Sequence, residues 1–194
     1  MSQTAKSSTV AVPMDLHFQT RHVHSRRTLP SIPTSAIAIN NDACHRTCRL
    51  TLREEEAADA IFLDFLAAVC SPLQGLASDN IIHQQSVIQR LGHAAAYPHA
   101  TRRILLRGDQ PIGRLMFDCT LGHSRCVDVA ILPVTRGLGY GTWLLTSWLQ
   151  VADRLGMATS LRVRRDNPAI ALYQRLGFVA GSDDGSPMAT MTRT

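Results

Sequence analysis

The sequence predicts an α+β fold: a twisted, mixed but mostly antiparallel sheet of about seven strands with about four helices packed against it. Three observations carry this. Helical spacing and two-residue alternation occupy separate stretches of the chain. Their order is strand, two helices, three strands, helix, strand, helix, two strands, which excludes a strictly alternating parallel sheet. And 194 residues, 45% apolar and 18% charged, suffice for one domain with a sizeable core.

The first strand is read at Arg49 to Arg53, where apolar and polar residues alternate, and Glu54 to Glu56 favour the opening turn of a helix. Ile61, Phe62, Phe65, Leu66 and Val69 then form one apolar stripe, with Pro72 just past its end. A second, weaker helix is expected from about Ile81 to Leu91, after the capping cluster "SDN", with Gly92 as terminator and Gln85 and Gln89 on one face. From Arg103 the period changes: "RILLRGDQPIGRLMF" reads as two strands around a turn at Gly108 to Pro111. "CVDVAIL" is the next strand, with Val127, Val129 and Ile131 on one face and Asp128, Ala130 and Leu132 on the other.

After a glycine run, Leu144, Leu145, Trp148, Leu149, Ala152 and Leu155 keep helical spacing up to Gly156. "SLRVR" is a strand. "NPAIALYQRLGF" is a helix with Asn167 as N-cap, Pro168 at the first helical position and Gly177 as stop. The tail is a closing hairpin around Asp184 and Gly185. The folded domain is therefore residues 48–194. Residues 1–47, with Asp15 and Asp42 as their only acids and no sustained periodicity, are expected to be a flexible extension.

No apolar stretch reaches the roughly 20 residues that cross a bilayer, and the start lacks a secretory h-region, so a cytoplasmic location without membrane contact is expected. The net charge of +5 is almost all arginine, since Lys6 is the single lysine, and arginine suits bidentate contact with phosphate. Five cysteines at irregular spacing fit a reducing compartment rather than a disulfide framework. Cys44 and Cys48 flank His45, with His17, His22 and His24 upstream, but no second pair has ligand spacing and no metal is expected.

The chemistry concentrates in "ILPVTRGLGYGTWLL". Backbone N–H groups at a helix start have no intrahelical partners and, with the peptide dipoles, favour a phosphate. Gly137, Gly139 and Gly141 keep side chains away and permit positive φ, so that successive N–H groups converge on one anion, and Arg136 adds a charged donor. A nucleoside-triphosphate loop needs Gly-Lys-Ser/Thr, and a dinucleotide loop needs glycine where Thr142 stands, so neither applies.

Arg-Gly-x-Gly-x-Gly between strand and helix resembles the coenzyme A pyrophosphate loop of the GNAT superfamily of acyltransferases. Downstream, Asn167, Ile170 or Ala171, Tyr173, Gly177 and Phe178 resemble its second signature. "PIGRLMFD", "VDVAILP" and "DDG" are similar to a bacterial branch of that superfamily, and Gln85, Gln89, Tyr97 and Pro98 match it more loosely.

The resemblance implies a GNAT fold and transfer of an acetyl group from acetyl-coenzyme A, as the acyl donor, to a primary amine by direct attack. It implies that the backbones of Leu132 and Val134 pair with the pantetheine arm and polarise the thioester carbonyl, Pro133 being unable to donate. Arg136, Gly137, Leu138, Gly139, Tyr140, Gly141 and Thr142 would hold the pyrophosphate, Asn167 would contact the coenzyme arm, and Tyr173 would aim its hydroxyl at the sulfur. A phenol of pKa about 10 cannot fully protonate a thiolate of pKa about 8.5 without a cost of about 2 kcal/mol, so Tyr173 stabilises a leaving group rather than acting as a free acid. Deprotonating a lysine-like amine at pH 7 costs about 4.6 kcal/mol and an α-amine about 1 kcal/mol, so the acceptor decides whether a base is needed. Asp128 is a candidate base, with Asp118 also near the third strand and Asp183 and Asp184 in the closing hairpin; a water-relayed base, or none, is the alternative.

The acceptor expected is a small molecule or peptide carrying an amine, with nucleic acid not expected and a homodimer allowed. Two other readings stand beside this one: a coenzyme A-binding regulatory module without catalysis, and a GNAT toxin that acetylates an aminoacyl-RNA.

Overall fold

The computed structural model describes residues 49–71 and 73–194. The expected N-terminal extension, the histidine and cysteine group around Cys44 and Cys48, and Pro72 lie outside the described residues. Seven strands form one sheet in the order β1-β2-β3-β4-β5-β7-β6. They are β1 (Leu50–Glu54), β2 (Thr101–Arg107), β3 (Gln110–Thr120), β4 (His123–Ile131), β5 (Ala158–Arg164), β6 (Val179–Ala180) and β7 (Met188–Arg193). All neighbours are antiparallel except β4 and β5. Four α-helices accompany them: α1 (Ala60–Cys70), α2 (Asp79–Ala96), α3 (Tyr140–Arg154) and α4 (Ile170–Arg175). The mixed α+β architecture expected from the element order is the one observed.

The core lies between the sheet and α3. Of the stripe read from the sequence, Leu144, Leu145, Trp148, Leu149 and Ala152 are buried there with Leu105, Leu115, Phe117, Leu161, Val163 and Met191, whereas Leu155, past the end of α3, is exposed. Trp148 Nε1 donates to Ser124 Oγ at 2.9 Å, so the indole pins α3 to β4 with its one polar atom satisfied. Gly156, with φ 62°, ends the helix as expected. On the opposite face, Ile104 and Met116 are fully buried, under α1 and α2, which bury Leu63, Leu66 and Ile82.

Four local expectations need correction. The α1 stripe is rotated: Leu63 and Leu66 are inside, whereas Ile61 and Phe65 face solvent, because α1 covers the sheet edge-on and shares its other side with α2. Gly92 does not stop α2, which continues to Ala96; a helical glycine costs only about 1 kcal/mol, and the three alanines that follow propagate the helix. Helix α4 proper starts at Ile170 rather than at Pro168, because Asn167 Oδ1 accepts the Ala169 N–H at 2.9 Å and closes a turn first.

The fourth correction matters most. Strand β4 does not alternate throughout: Met116 pairs with Asp128 but Phe117 pairs with Cys126, which leaves Val127 as an extra residue in a β-bulge. Cys126 therefore faces the α3 core together with Val129 and Ile131, while Asp128 faces α1 and α2.

Candidate active site

The bulge opens the sheet. Strands β4 and β5 pair in parallel only from His123↔Ala158 to Cys126↔Leu161, although β4 runs on to Ile131 and β5 to Arg164. Beyond Cys126 the two strands part. The Leu132 N–H donates to the Ile112 carbonyl at 2.9 Å, which fixes the phase of the β3 ladder. By antiparallel alternation, Ala130 and Asp128 then also turn their backbone groups to β3, and Val129 and Ile131 turn theirs into the gap. An extended ligand laid in the gap would meet the Val129 and Ile131 main chain as an added strand would.

The two expected backbone partners are placed differently. Leu132 has its N–H on Ile112, and its carbonyl accepts from the Thr135 N–H and hydroxyl, both at 2.9 Å. Val134 lies not on a strand but in the short 3-10 turn Pro133–Thr135, with its side chain exposed. Counting outward from Pro133 gives the end of the strand but not which residues face β3.

The glycine loop leads from this turn into α3. Gly137 and Gly139 have φ of 77° and 81°, and Gly139 is the N-cap of α3. A Cβ at either position would meet nothing within 4 Å, so the space in front of the loop is open and the glycines serve the left-handed backbone. Gly141 is different. It is helical, and a Cβ there would meet Leu172 Cδ2 at 3.7 Å and Ile131 Cγ1 at 3.9 Å, ordinary contact distances, so neither space nor backbone conformation demands a glycine there.

The first intrahelical bond runs from the Trp143 N–H to the Gly139 carbonyl at 2.9 Å. Among the described residues, the N–H groups of Gly137, Leu138, Gly139, Gly141 and Thr142 have no acceptor. Five donors next to a helix N-terminus and its dipole make an anion site. Leu138 and Thr142 have exposed side chains; Tyr140 is buried in the core and offers the loop only its main chain. Arg136 folds back from the loop: its Nε donates to the Ile131 carbonyl and its Nη2 to Cys70 Sγ at the end of α1, each at 3.3 Å. It must leave these partners to reach an anion at the loop.

Tyr173 stands where β4 and β5 part. It is 7% exposed and packs edge-on against Phe178, with ring centroids 6.2 Å apart; Phe178 in turn stacks on Trp148 at 6.1 Å. This run of rings ties α4 to the core helix and fixes the phenol. Burial raises the Tyr173 pKa well above that of a free phenol, and the Cys126 thiol and Asp128 charges add to the effect. The hydroxyl remains protonated at neutral pH and is a hydrogen-bond donor there. Asn167 is exposed and its Oδ1 is engaged as a local cap.

Asp128 is not a free carboxylate. Its Oδ2 accepts from Arg114 Nη1 at 2.9 Å, and the same guanidinium holds Glu55 with Nε at 2.7 Å. Arg114 is almost wholly buried, so both acids are fixed by it. Asp183 and Asp184 pair with Arg165 in the closing hairpin. The sequence reading missed Arg114 and Glu55, which are paired only by the register of β3, and missed His93 on α2, whose Nδ1 is sealed from water without a partner. Burial lowers the His93 pKa, with Arg114 and Arg102 acting in the same direction and Asp128 opposing. Among the described residues, no group of histidine, cysteine or acidic side chains could hold a metal ion, and no helix is long and apolar enough to cross a membrane.

Comparison with known proteins agrees with this geometry. Residues 100–180, from β2 through α4, match the acetyltransferase (GNAT) domain family. A ribosomal protein bS18-alanine N-acetyltransferase of Haemophilus influenzae is 33% identical over 75 residues, which are 38% of this chain; the chain spans about half (51%) of that relative's length. Among solved structures, the PaiA N-acetyltransferase of Thermoplasma acidophilum in complex with coenzyme A aligns with a TM-score of 0.60 at 15% identity, covering 75% of this chain and 99% of that one. The ribosomal-protein-S18-alanine N-acetyltransferase of Escherichia coli aligns with a TM-score of 0.53 at 17% identity, covering 74% and 91%. At these identities the solved structures speak for the fold.

Proposed function

We propose that the chain is an acetyltransferase of the GNAT superfamily, an enzyme that moves an acetyl group from acetyl-coenzyme A to a primary amine by direct attack. The observation that carries this reading is the conjunction of five unpartnered N–H groups at the start of α3 with the unpaired β4 edge that leads away from them. A diphosphate fits the first and an extended amide chain fits the second, and coenzyme A carries both in that order. Arg136 would turn from Ile131 and Cys70 to the pyrophosphate, and the exposed Asn167 would contact the coenzyme arm.

The thioester then lies near the fork below Tyr173. A main-chain N–H of the β4 edge polarises the carbonyl and stabilises the oxyanion as the amine attacks. The N–C bond forms, the C–S bond breaks, and the Tyr173 hydroxyl donates a hydrogen bond to the sulfur as negative charge builds there. Its raised pKa suits this role, since the group is fully protonated when the thiolate departs. Asp128, held by Arg114, contributes a fixed negative charge beside the site.

The test is incubation of the protein with acetyl-coenzyme A and three amines in turn: a peptide with N-terminal alanine, Nα-blocked lysine amide, and spermidine. The first and third are chosen because relatives and neighbours include a ribosomal-protein alanine N-acetyltransferase and a spermidine N-acetyltransferase. Free thiol and N-acetylated product should appear in equal amounts with at least one of them. Tight acetyl-coenzyme A binding with no thiol released from any amine would leave a binding module in place of an enzyme.

A further inference from the structure

The transferase reading leaves one proton unassigned. An amine attacks only as the free base, and the carboxylate nearest the fork, Asp128, already has Arg114 bound to it. Its pairing with a buried guanidinium makes it a poor acceptor for a second cation's proton, because accepting one would break the pair and strand the Arg114 charge.

His93 occupies the adjoining position on α2. Eleven residues separate it from Ile82 and seven from Ser86, so by helical spacing it continues the face that carries those two buried side chains against the sheet. The charged groups around it come from three strands: Asp128 on β4, Arg114 on β3 and Arg102 on β2. Glu55, before α1, acts through Arg114, and the Asp64–Arg90 ion pair ties α1 to α2. Of the two ring nitrogens, Nδ1 is the one sealed from water and lacking a partner, while the ring as a whole is only half-buried. Nε2 is thus the edge open to a ligand, and Asp128 is the carboxylate whose charge acts on the ring.

Resting on the transferase reading, we propose that His93 is the general base of this enzyme: its Nε2 takes the proton from the acceptor's ammonium group, and the charge of Asp128 stabilises the imidazolium. The same Asp128 bears on the Tyr173 phenol, so the base and the leaving-group donor flank one fixed charge. The proton count closes. One ammonium proton goes to Nε2, and the lone pair it frees forms the N–C bond as the C–S electrons pass to sulfur. The second N–H proton lost on forming the amide balances the one gained by the thiol, and His93 returns its proton to solvent. An imidazole held neutral by burial is ready for this at pH 7, and the positive charge it acquires is met by Asp128.

The experiment compares wild type, His93→Gln and His93→Ala as full chains, with whichever amine of the panel the wild type acetylates, across pH. A base that deprotonates bound ammonium gives a flat kcat/KM from the histidine pKa up to the amine's own pKa. Without it, only the free amine reacts, and kcat/KM rises about tenfold per pH unit until that pKa is reached, about 7.7 for the alanyl peptide and about 10.4 for lysine amide. His93→Gln should show this slope and converge on wild type above the amine pKa. With the lysine amide, about 3.4 units below its pKa at pH 7, its deficit there should be about 2,500-fold. Acetyl-coenzyme A affinity should stay unchanged, and added imidazole should restore part of the His93→Ala rate. A deficit independent of pH, or none, overturns the assignment of His93 while the enzyme stands. A wild type inert with every amine removes both the enzyme and the need for its base.

Discussion

The two sides of the sheet are built to different standards. On the α3 side, the helix buries an entire flank against β3, β4 and β5, its indole is hydrogen-bonded to Ser124, and a run of aromatic rings carries order out to Tyr173. On the α1–α2 side, α1 buries Leu63 and Leu66, α2 buries Ile82 and Ser86, and Ile61, Phe65, Ile81, Ile88 and Leu91 stand in solvent. What holds that second side to the sheet is charge: Arg114 with Glu55 and Asp128, and Arg53 with Asp59 at 2.5 Å. One side of the sheet is therefore a rigid apolar wall, and the other is thinner and ion-paired.

The contrast can be broken or sharpened by substitution. The largest effect is expected on the apolar wall: Trp148→Ala should cost about 3–5 kcal/mol of stability by chemical denaturation, because it leaves a cavity and an unpaired Ser124 hydroxyl. A loss below about 1 kcal/mol would mean α3 is not the keystone. Nearly as large is Arg114→Met, which strands Glu55 and Asp128 and should cost about 3–5 kcal/mol at pH 7.

Tyr173→Phe should leave stability and acetyl-coenzyme A affinity near wild type but lower kcat about a hundredfold, read by thiol release. Equal kcat would remove the phenol from the chemistry. Gly139→Ala should weaken acetyl-coenzyme A binding through about 1–2 kcal/mol of left-handed backbone strain at the loop, measurable by calorimetry. Smallest of all, Ile88→Ser should change stability by no more than about 0.5 kcal/mol, as befits a side chain that is 61% exposed.

The sequence was readable wherever local periodicity and end signals agree with the burial that tertiary structure imposes. The α3 stripe, its stop at Gly156 and the Gly177 stop of α4 are such places. So is the glycine loop, since positive φ at Gly137 and Gly139 leaves few other residue choices. Legibility failed where partner and phase decide. Val127 reads as an ordinary strand residue until β3 is laid beside it, and the roles of Leu132, Val129 and Ile131 follow from that one offset. Arg114, Asp128 and His93 come from three elements far apart in the chain, and no spacing announces that they meet. The apolar residues of α1 and α2 misled for a related reason: a periodic stripe shows that a face is apolar, not that anything covers it.

Val127 has one more implication. Because it is surplus to the pairing with β3, its removal would leave Cys126 opposite Phe117 and Asp128 opposite Met116, every side chain on its present face and every rung of that ladder intact. What would vanish is the kink, and a straightened β4 would be free to zip onto β5 beyond Leu161. Excision of a single codon would thus yield a well-folded but sealed molecule, a cleaner severance of architecture from activity than any point substitution in the cleft could achieve.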